Sequence, residues 1–592
     1  MPTDPRSAGV GVGFLKREFA AWLLTARSRL RRKPQDAHER YLRMVEVARR
    51  EALPVSASSE PLPLISFVTP VHNTPVRYLD DLLRSFRAQA RGLSEWVLSD
   101  DGSSSKETDV WLRAHASEEG LVILRRAENK GIAVTSNEGV AASRGRWIGL
   151  VDHDDALAPQ AAALLARAIG DHPDAKFLYT DELIADGDLR GVDFFHKPAF
   201  DDVLLSGVNY INHLSLYRRD LFDAIGGFRL GFDGSQDYDL LLRYLAGLAP
   251  SEILHLPYPA YIWRRDGASY SVKFLEKATA NARRALAQAY GADVDRAINP
   301  DLHRVRLDAR DGASLPKISI ILANRGSLAQ IHRLIEGLTG GTDYANSEIV
   351  VVGDEATDPE ALAFCGGLAS VKSNFTVPVE PASANISHLI NVGMARATGD
   401  FLLCLDSGIE IIEPSWLTEM AACFRYPRAG IVGARLLHPD RTLRHGGLIV
   451  GLGGLAGPWF ERRPADWAGP MARLNVRSSM SAVSGACMMI SRECWEQVGE
   501  LDDELFGAAH GDVDFCLRAR GFGWRAVYTP FATLIQHPSS GRDDRARILR
   551  DQAALIERHG TKDFQDPYFS PWYDRARSEP TPIPLEETPS AR

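Results

Sequence analysis

"LVDHDDALAP" (Leu150–Pro159) sets three acids within four positions directly after an apolar run. Far along the chain, "LCLDSGIEII" (Leu403–Ile412) repeats the frame, with Ser407 and Gly408 where the first has His153 and Asp154. The surroundings share a register. Asn137, Gly145 and Asp152 stand 8 and then 7 residues apart, and Asn391, Gly399 and Asp406 keep those gaps. "GSQDYDLLLR" (Gly234–Arg243) is answered in the same order by "HGDVDFCLR" (His510–Arg518). Ordered matches of this kind mark a duplication, so the chain holds two related domains.

Outward from these stretches, the β-rich runs "LISFVTPV", "EWVLSDD", "RWIGLVDHDD" and "FLYTDE" alternate with helical ones such as "VRYLDDLLRSFRAQA". That alternation predicts an α/β fold with a mostly parallel, Rossmann-like sheet. From Pro316 it restarts with "KISIILANRG", "SEIVVVGDEATD" and "DFLLCLDSG". The expected organisation is a helical N-terminal segment at 1–62, a first domain at 63–300, a linker at 301–316, a second domain at 317–562 and a tail at 563–592. The tail ends in "SEPTPIPLEETPSAR", a disordered composition.

A net charge of −9 over 592 residues argues against general nucleic-acid binding, which favours a basic field. The six cysteines, all between Cys365 and Cys516, lack the paired spacing of a zinc site and read as reduced thiols of a cytosolic protein. No run reaches the roughly 18 to 20 apolar residues of a membrane span. The glycine-rich "GGLIVGLGGLAGPWF" (Gly446–Phe460) reads instead as a strand–turn–strand. Residues 1–33 carry eight basic and two acidic side chains, with Phe14, Leu15, Phe19, Trp22 and Leu23 near helical spacing. That pattern fits a helix on an anionic inner-membrane surface; the alternative is a helix docked on its own domain.

In open α/β sheets ligands bind past the carboxyl ends of the strands. "TPVHN" ends the first strand, with Pro70 stiffening the exit and Asn73 following. "SDDGSSS" ends the next; Asp100 and Asp101 can accept hydrogen bonds from a nucleobase N–H and ribose hydroxyls, and Gly102 permits a sharp turn. "NKGIAVTSNEG" brings Asn129, Lys130 and Asn137, with Lys130 a candidate phosphate contact. An Asp-Gly-Ser loop is also a common turn, so each alone says little. "VDHDD" says more. A diphosphate calls for a hard divalent cation, and Mg²⁺ or Mn²⁺ favours a few carboxylates plus ligand oxygens. Asp152 and Asp154 share a face if the strand runs on that far. The competing reading is a cap for the following helix, a role assigned to Asp155. In "GSQDYDLLLR", Asp237 can deprotonate an attacking sugar hydroxyl. Asp239 is expected to be structural, and Arg243 to pair with it or face a phosphate.

Taken in order, these stretches resemble family 2 glycosyltransferases of the GT-A fold. The family pattern is matched by "PVHN", "DDGS", "NKG", "NEG", "DHD", "GGF" (Gly226–Phe228) and Gln236-Asp237, and two passes cover roughly residues 63–560. The resemblance implies two tandem GT-A domains. In the first, Pro70, Asn73, Asp100, Asp101, Asn129, Lys130, Asn137 and Asp152 would bind a nucleoside-diphosphate sugar. Asp152 and Asp154 would hold Mn²⁺ or Mg²⁺, and Asp237 would be the general base of an inverting displacement. "YIWRR" (Tyr261–Arg265) departs from the pattern, with Ile262 where many relatives carry a metal-completing histidine.

The second pass departs further. "VGDEAT" leaves Asp354 without an Asp pair, and Asp406-Ser407-Gly408 lacks the second carboxylate. The acceptor side is retained in "SAVSGACMMISRECWEQVG", in Asp512 at the base position and in "YTPFATLIQH", which ends at His537. Two readings follow: a domain that holds glycan without transferring sugar, or a metal-independent or unusually coordinated second active site. The expected activity is transfer onto a lipid-linked or oligosaccharide acceptor, a growing bacterial surface polysaccharide such as an O-antigen, at the cytoplasmic membrane face. A bifunctional transferase and a non-catalytic carbohydrate-binding scaffold are the alternatives.

Overall fold

The computed structural model describes residues 37–51, 64–90, 92–265, 275–310, 312, 314–381, 385–538 and 545–584. The basic stretch 1–33 lies outside the described residues.

Two α/β domains follow one another, preceded by the helix Ala37–Glu51. The first is built on β1 (Ile65–Val71), β2 (Ser94–Asp100), β3 (Leu121–Arg125), β4 (Trp147–Leu150), β5 (Ala156–Leu157), β6 (Phe177–Ala185), β7 (Gly191–Phe195), β8 (Ser215–Arg218) and β9 (Ile253–Arg264). Their order in the sheet is β3-β2-β1-β4-β8-β6-β9-β5, with β7 on β6. The β1–β4 half is parallel; β8 runs antiparallel to both its neighbours, so the far half is mixed. The central strands are apolar on both faces, since helices cover each side of a parallel sheet: in β1, Ile65, Phe67, Val68 and Val71 are all buried.

The second sheet repeats this order strand for strand: Phe375–Thr376, Ser347–Asp354, Ile318–Ala323, Phe401–Leu405, Cys487–Ser491, Ala429–Leu437, Arg525–Gln536 and Ile409–Ile411. The shared register has a physical origin. Gly145 N–H donates to Ser66 Oγ (2.7 Å), whose hydroxyl donates to the buried Glu95 (2.7 Å). Gly399 N–H donates to Ser319 Oγ (2.8 Å), whose hydroxyl donates to Glu348 (2.5 Å). A Cβ on Gly145 would lie 2.5 Å from Ser66 N, and one on Gly399 2.7 Å from Ser319 N. Only glycine fits either place.

The domains interlock. Val203 of the first packs in the second domain's core, and Val476 of the second packs in the first's. Asp201 accepts from the N–H (2.8 Å) and hydroxyl (2.7 Å) of Ser479, and Ser206 Oγ is 2.7 Å from the Tyr426 hydroxyl. The expected linker carries a strand, His303–Val305, paired with Val294–Arg296, so structure is continuous across that boundary. The chain past residue 563 is not the free tail expected as far as it is described. Trp572 is buried in the first domain's core and donates to Pro257 O (2.6 Å), Phe569 packs in the second, and Ile583 O accepts from Arg40 (2.6 Å). Its aromatic residues outweigh the proline-rich composition of its end. All six cysteines are buried and unpaired, and Leu448–Val450 pairs with Ala456–Pro458 as a short hairpin.

Glu419 concentrates polar energy beside this interface. Arg477 donates to both its oxygens (2.7 and 2.8 Å), with Arg304 (2.8 Å) and Thr529 (2.7 Å) adding to them. Burial alone would raise its pKa, but the two arginines and Thr529 bring it down to about 2. Removing one partner of such a buried pair costs about 3–5 kcal/mol. We expect Glu419→Ala to lower unfolding stability on that scale in urea titrations. Because the folded pKa is depressed, the wild-type contribution is present at neutral pH and fades as pH falls through the carboxylate range toward 2.

Candidate active site

β1, β2 and β4 are parallel neighbours, so their carboxyl ends and the loops that follow lie along one edge of the sheet. Past β4, which stops at Leu150, the chain enters a tight turn, so Asp152 and Asp154 come together through the turn and not by strand alternation. Asp152, Asp154 and Asp155 bring carboxylate oxygens within 4.8 Å of one another; among the described residues this is the one acidic, histidine or cysteine cluster able to hold a metal ion. The three have different surroundings. Asp155 is buried and committed inward, accepting from the Tyr261 hydroxyl (2.7 Å) and Arg264 N–H (2.7 Å). It does not cap the next helix, Ala161–Asp171, which has no side-chain cap. Burial, then the charges of Asp154 and Asp152, push Asp155 well above the usual carboxylate range. The Tyr261 hydroxyl also accepts from Asp152 N–H (3.1 Å), so one phenol ties both ends of the turn.

Asp152 and Asp154 remain partly open to solvent. Burial works against the charge on Asp152, but His213, with Nε2 3.3 Å from Oδ2, holds its pKa below the ordinary value. Asp154 is raised, by burial first and by Asp152 in addition, against an opposing pull from His153. Asp237 lies in the first turn of the helix Gln236–Leu245 and accepts from Asn209 Nδ2 (3.0 Å). It lies near enough to His213 and Asp152 to feel both charges, and burial raises its pKa. A carboxylate poised upward and close to the acidic turn suits proton abstraction. Two half-open carboxylates at a strand-end turn also suit a small divalent cation that keeps oxygen ligands from elsewhere.

Other expected site residues hold the strand-end loops together. Asp100 and Asp101 are both buried. Asp100 accepts from Ser103 N–H (3.1 Å), while Asp101 takes Lys130 N–H (2.8 Å) and Gly131 N–H (2.9 Å). Against the upward pull of burial, these N–H groups, with Thr135 and Arg126, lower the Asp101 pKa. Asn73 accepts from Ser104 N–H and Ser105 N–H, both at 2.8 Å, tying the end of β1 to the loop after β2. Pro70 lies within β1. Gly102, at φ +67°, faces the Glu128–Asn129 peptide so closely that a Cβ would sit 2.8 Å from Glu128 C. The side chains of Asn129 and Lys130 stay exposed at the rim.

Asn137 exchanges two hydrogen bonds with Phe228, both 2.9 Å, and Asn391 does the same with Leu501 (2.8 and 3.0 Å). Arg243 pairs with Asp239 (2.8 Å) and donates to Gly227 O (2.7 Å), and Gln236 accepts from Gly234 N–H (2.8 Å). Asn137, Arg243 and Gln236 are thus spent on internal bonds. Ile262 is buried in the β5–β9 ladder.

In the second domain, Asp406 folds back on its own turn, accepting from Gly408 N–H (2.7 Å). A Cβ at Gly408 would meet His537 O at 2.6 Å and Asp406 Oδ1 at 2.9 Å, so main chain occupies the space a second carboxylate would need. His537 itself pairs with Glu410 (2.6 Å). Asp512 accepts from Gly485 N–H (2.7 Å) and, with Asp406, Ile321, Ile386 and Ser387, lines a cavity of about 200 Å³.

The geometry is thus a duplicated α/β fold whose first copy gathers three acids at the turn after β4, with Asp237 close enough to feel their charge. Residues 66–226 match the family model described as Glycosyl transferase family 2, and residues 316–553 that of Glycosyltransferase like family 2. A PGL/p-HBAD biosynthesis glycosyltransferase of Mycobacterium bovis (strain BCG / Pasteur 1173P2) is 30% identical over 183 residues, 31% of this chain and 69% of that protein. The chain belongs to glycosyltransferase family 2 and carries two of its domains in tandem. The O-antigen biosynthesis protein RfbC of Myxococcus xanthus is 33% identical over 547 residues, covering 89% of this chain and 42% of that protein. Uncharacterized protein y4gI of Sinorhizobium fredii (strain NBRC 101917 / NGR234) is 35% identical over 522 residues, 86% of this chain and 57% of that protein. The chain therefore spans only about half the length of these two relatives.

His213, Glu182 and Tyr261 border the acidic turn without any local pattern that marks them as its neighbours. His213 precedes and Glu182 lies within the mixed half of the sheet, beyond the parallel strand ends where the search for a site begins. For the second domain, the crowding at Gly408 gives a direct test. We expect Gly408→Asp to lower the melting temperature, with no added stabilisation by Mn²⁺, in paired thermal melts.

Proposed function

We propose that the first domain transfers a sugar from a nucleoside-diphosphate donor, with inversion, onto a growing bacterial surface polysaccharide, and that the second domain holds glycan without transferring. The observation that carries this reading is the asymmetry at the acidic turn: Asp154 adds a second, partly exposed carboxylate beside Asp152, while main chain fills the matching space at Gly408. The name of the Myxococcus xanthus relative supports an O-antigen-like product. Among the described residues, no helix is long and apolar enough to cross a membrane. A cytoplasmic site, peripheral to the inner membrane through residues 1–33, completes the proposal.

In this mechanism Asp237 takes the proton of an acceptor hydroxyl as its oxygen attacks the anomeric carbon. The bond to the nucleoside diphosphate breaks on the opposite face. Asn209 fixes the carboxylate that does this. The loops anchored by Asn73 and Asp101 border the donor, with Lys130 at the rim toward its phosphates. Asp152 and Asp154 would hold Mn²⁺ or Mg²⁺, which supplies positive charge to the departing diphosphate. In the second domain, the cavity between Asp406 and Asp512 offers two carboxylates and apolar walls, a lining that suits a sugar's hydroxyls and C–H faces.

Three variants of the full chain test the proposal on a panel of nucleotide sugars with Mn²⁺ and Mg²⁺. Asp154→Ala and Asp237→Asn are expected to lower transfer by about 10²–10⁴-fold with unchanged circular dichroism. Asp512→Ala is expected to leave linkage and product unchanged at saturating acceptor while raising acceptor KM. A product one sugar shorter would establish a second active site. The pH profile gives an independent reading. Because burial raises the Asp237 pKa, the acid limb of kcat should fall at a pH above the ordinary aspartate range, and Asp237→Asn should abolish that limb.

A further inference from the structure

Beneath the acidic turn lies a buried polar group that the mechanism above does not use. Lys197 is fully buried, its ammonium donating to Thr180 O (2.7 Å), Ile211 O (2.5 Å) and His213 O, and pairing with Glu182 Oε1 (2.7 Å). Glu182, also fully buried, accepts His213 N–H at Oε1 (3.2 Å) and sets Oε2 3.6 Å from the ring's Nδ1. The imidazole therefore sits between two carboxylates, Glu182 behind and Asp152 in front. Its face stacks on Tyr261 with ring centres 4.7 Å apart, and Tyr261 holds the turn. Main chain and ring face of His213 are held, while Nδ1 and Glu182 Oε2 face each other as a charge contact without a hydrogen bond.

Burying an ion pair is costly, so the fold alone gives little reason for it. The second domain provides an internal control. Trp147 pairs with Arg218 and Gly149 with Leu216; in the second sheet Phe401 pairs with Ser491 and Leu403 with Met489. Continuing along both pairs sets Ala486 opposite Asp406, where His213 stands opposite Asp152. Asp406 N–H indeed donates to Ala486 O (2.9 Å). Likewise Tyr179 pairs with Ser215 and Gly433 with Met488, which sets the buried Leu436 at the position of Glu182. The same strands form with Ala and Leu there. Yet Asp152 and Asp237 keep counterparts in Asp406 and Asp512, and Asp154 does not. His213, Glu182 and the Asp154 carboxylate are absent together from the domain whose acidic turn is filled by main chain.

We propose that His213 is a positioning residue of the cation site, its Nε2–H aiming Asp152 while Glu182, backed by Lys197, aims the ring. The chain thus supplies through residue 213 a histidine that acts on the site from behind Asp152, while position 262 carries a buried isoleucine. Partners of this outer kind set how well a carboxylate is presented to a metal ion. The inference rests on the reading of Asp152 and Asp154 as cation ligands.

The test is Mn²⁺ titration of the full chain without nucleotide sugar, followed by electron paramagnetic resonance of free Mn²⁺. His213→Leu keeps the volume and removes the donor; it should weaken Mn²⁺ by about 10–100-fold. His213→Gln restores an N–H at similar reach and should recover most of that loss, which a packing role would not predict. Equal affinities for the Leu and Gln variants, or wild-type affinity for His213→Leu, overturn the proposal. Should His213→Leu fail to fold by circular dichroism, Glu182→Gln decides: weaker Mn²⁺ binding supports the proposal and unchanged binding overturns it. Asp154→Ala separates the two layers. Loss of Mn²⁺ binding there, with His213 variants unaffected, rejects only the positioning role; retained binding rejects the cation site itself.

Discussion

Each domain hangs on a hydrogen-bonded clamp at the entry of its central strands: a buried glycine N–H on a buried serine hydroxyl, and that hydroxyl on a glutamate, buried in the first domain and half-buried in the second. Glu95 also accepts from Arg144 N–H (2.5 Å), and Glu348 from Thr398 N–H (2.7 Å). Their surroundings lower both carboxylates despite partial burial, Glu348 to about 2. The clamp joins β1, β2 and the chain entering β4, where no side chain fits at Gly145. With the entry fixed, the distance from Gly145 to Asp152 decides where the chain leaves the sheet. An insertion there would shift every acid in the turn relative to the neighbouring strand ends. The constancy of that gap in both halves has a steric cause.

This explains which parts of the molecule could be read from residues alone. The duplication, the α/β alternation and the acidic turn were legible, because hydrophobic period and fixed spacing encode them locally. The role of Asn137 was not. A polar residue in a glycine-bearing stretch past a strand suggests a ligand contact, but Asn137 lies within the helix Ile132–Ala142 and its amide locks the Phe228 main chain, as Asn391 locks Leu501. Both partners lie far away in sequence, so no local pattern reports them. Asn73 and Asp101 follow the same logic, giving their oxygens to loop N–H groups. Tertiary hydrogen bonding, absent from any spacing rule, separates residues that shape the cleft from those that face it.

The second domain shows the same limit from the other side. Read as letters, Asp406-Ser407-Gly408 is a motif with one carboxylate missing. In space it is a closed turn: Gly408 O accepts from His537 N–H (2.9 Å), and the His537 carbonyl stands where a side chain would project. Asp354 is likewise engaged, pairing with Arg325 (2.7 Å) and accepting from Ala356 N–H (3.0 Å). Substituting one residue would not reopen such a site, because the pairing of Ile409–Ile411 with Arg525–Gln536 sets that backbone in place.

The three acids of the first turn form one electrostatic problem with three local solutions. Asp155 is held by two hydrogen bonds and driven upward by burial and its neighbours; Asp152 is kept charged by His213; Asp154 is left raised by burial and by Asp152. Like charges this close oppose one another's ionisation, so the protons belong to the cluster as a whole. Neutralising the innermost acid leaves the surplus negative charge on the two that face solvent, where a divalent cation would relieve it. The second domain's turn carries a single carboxylate, which accepts from its own Gly408 N–H. What the two domains share, the glycine–serine–glutamate clamp and the asparagine locks, is what any copy of this fold needs. What the first keeps alone, Asp154 with His213 and Glu182 behind Asp152, is an expense the fold does not require, and it is gathered around one opening.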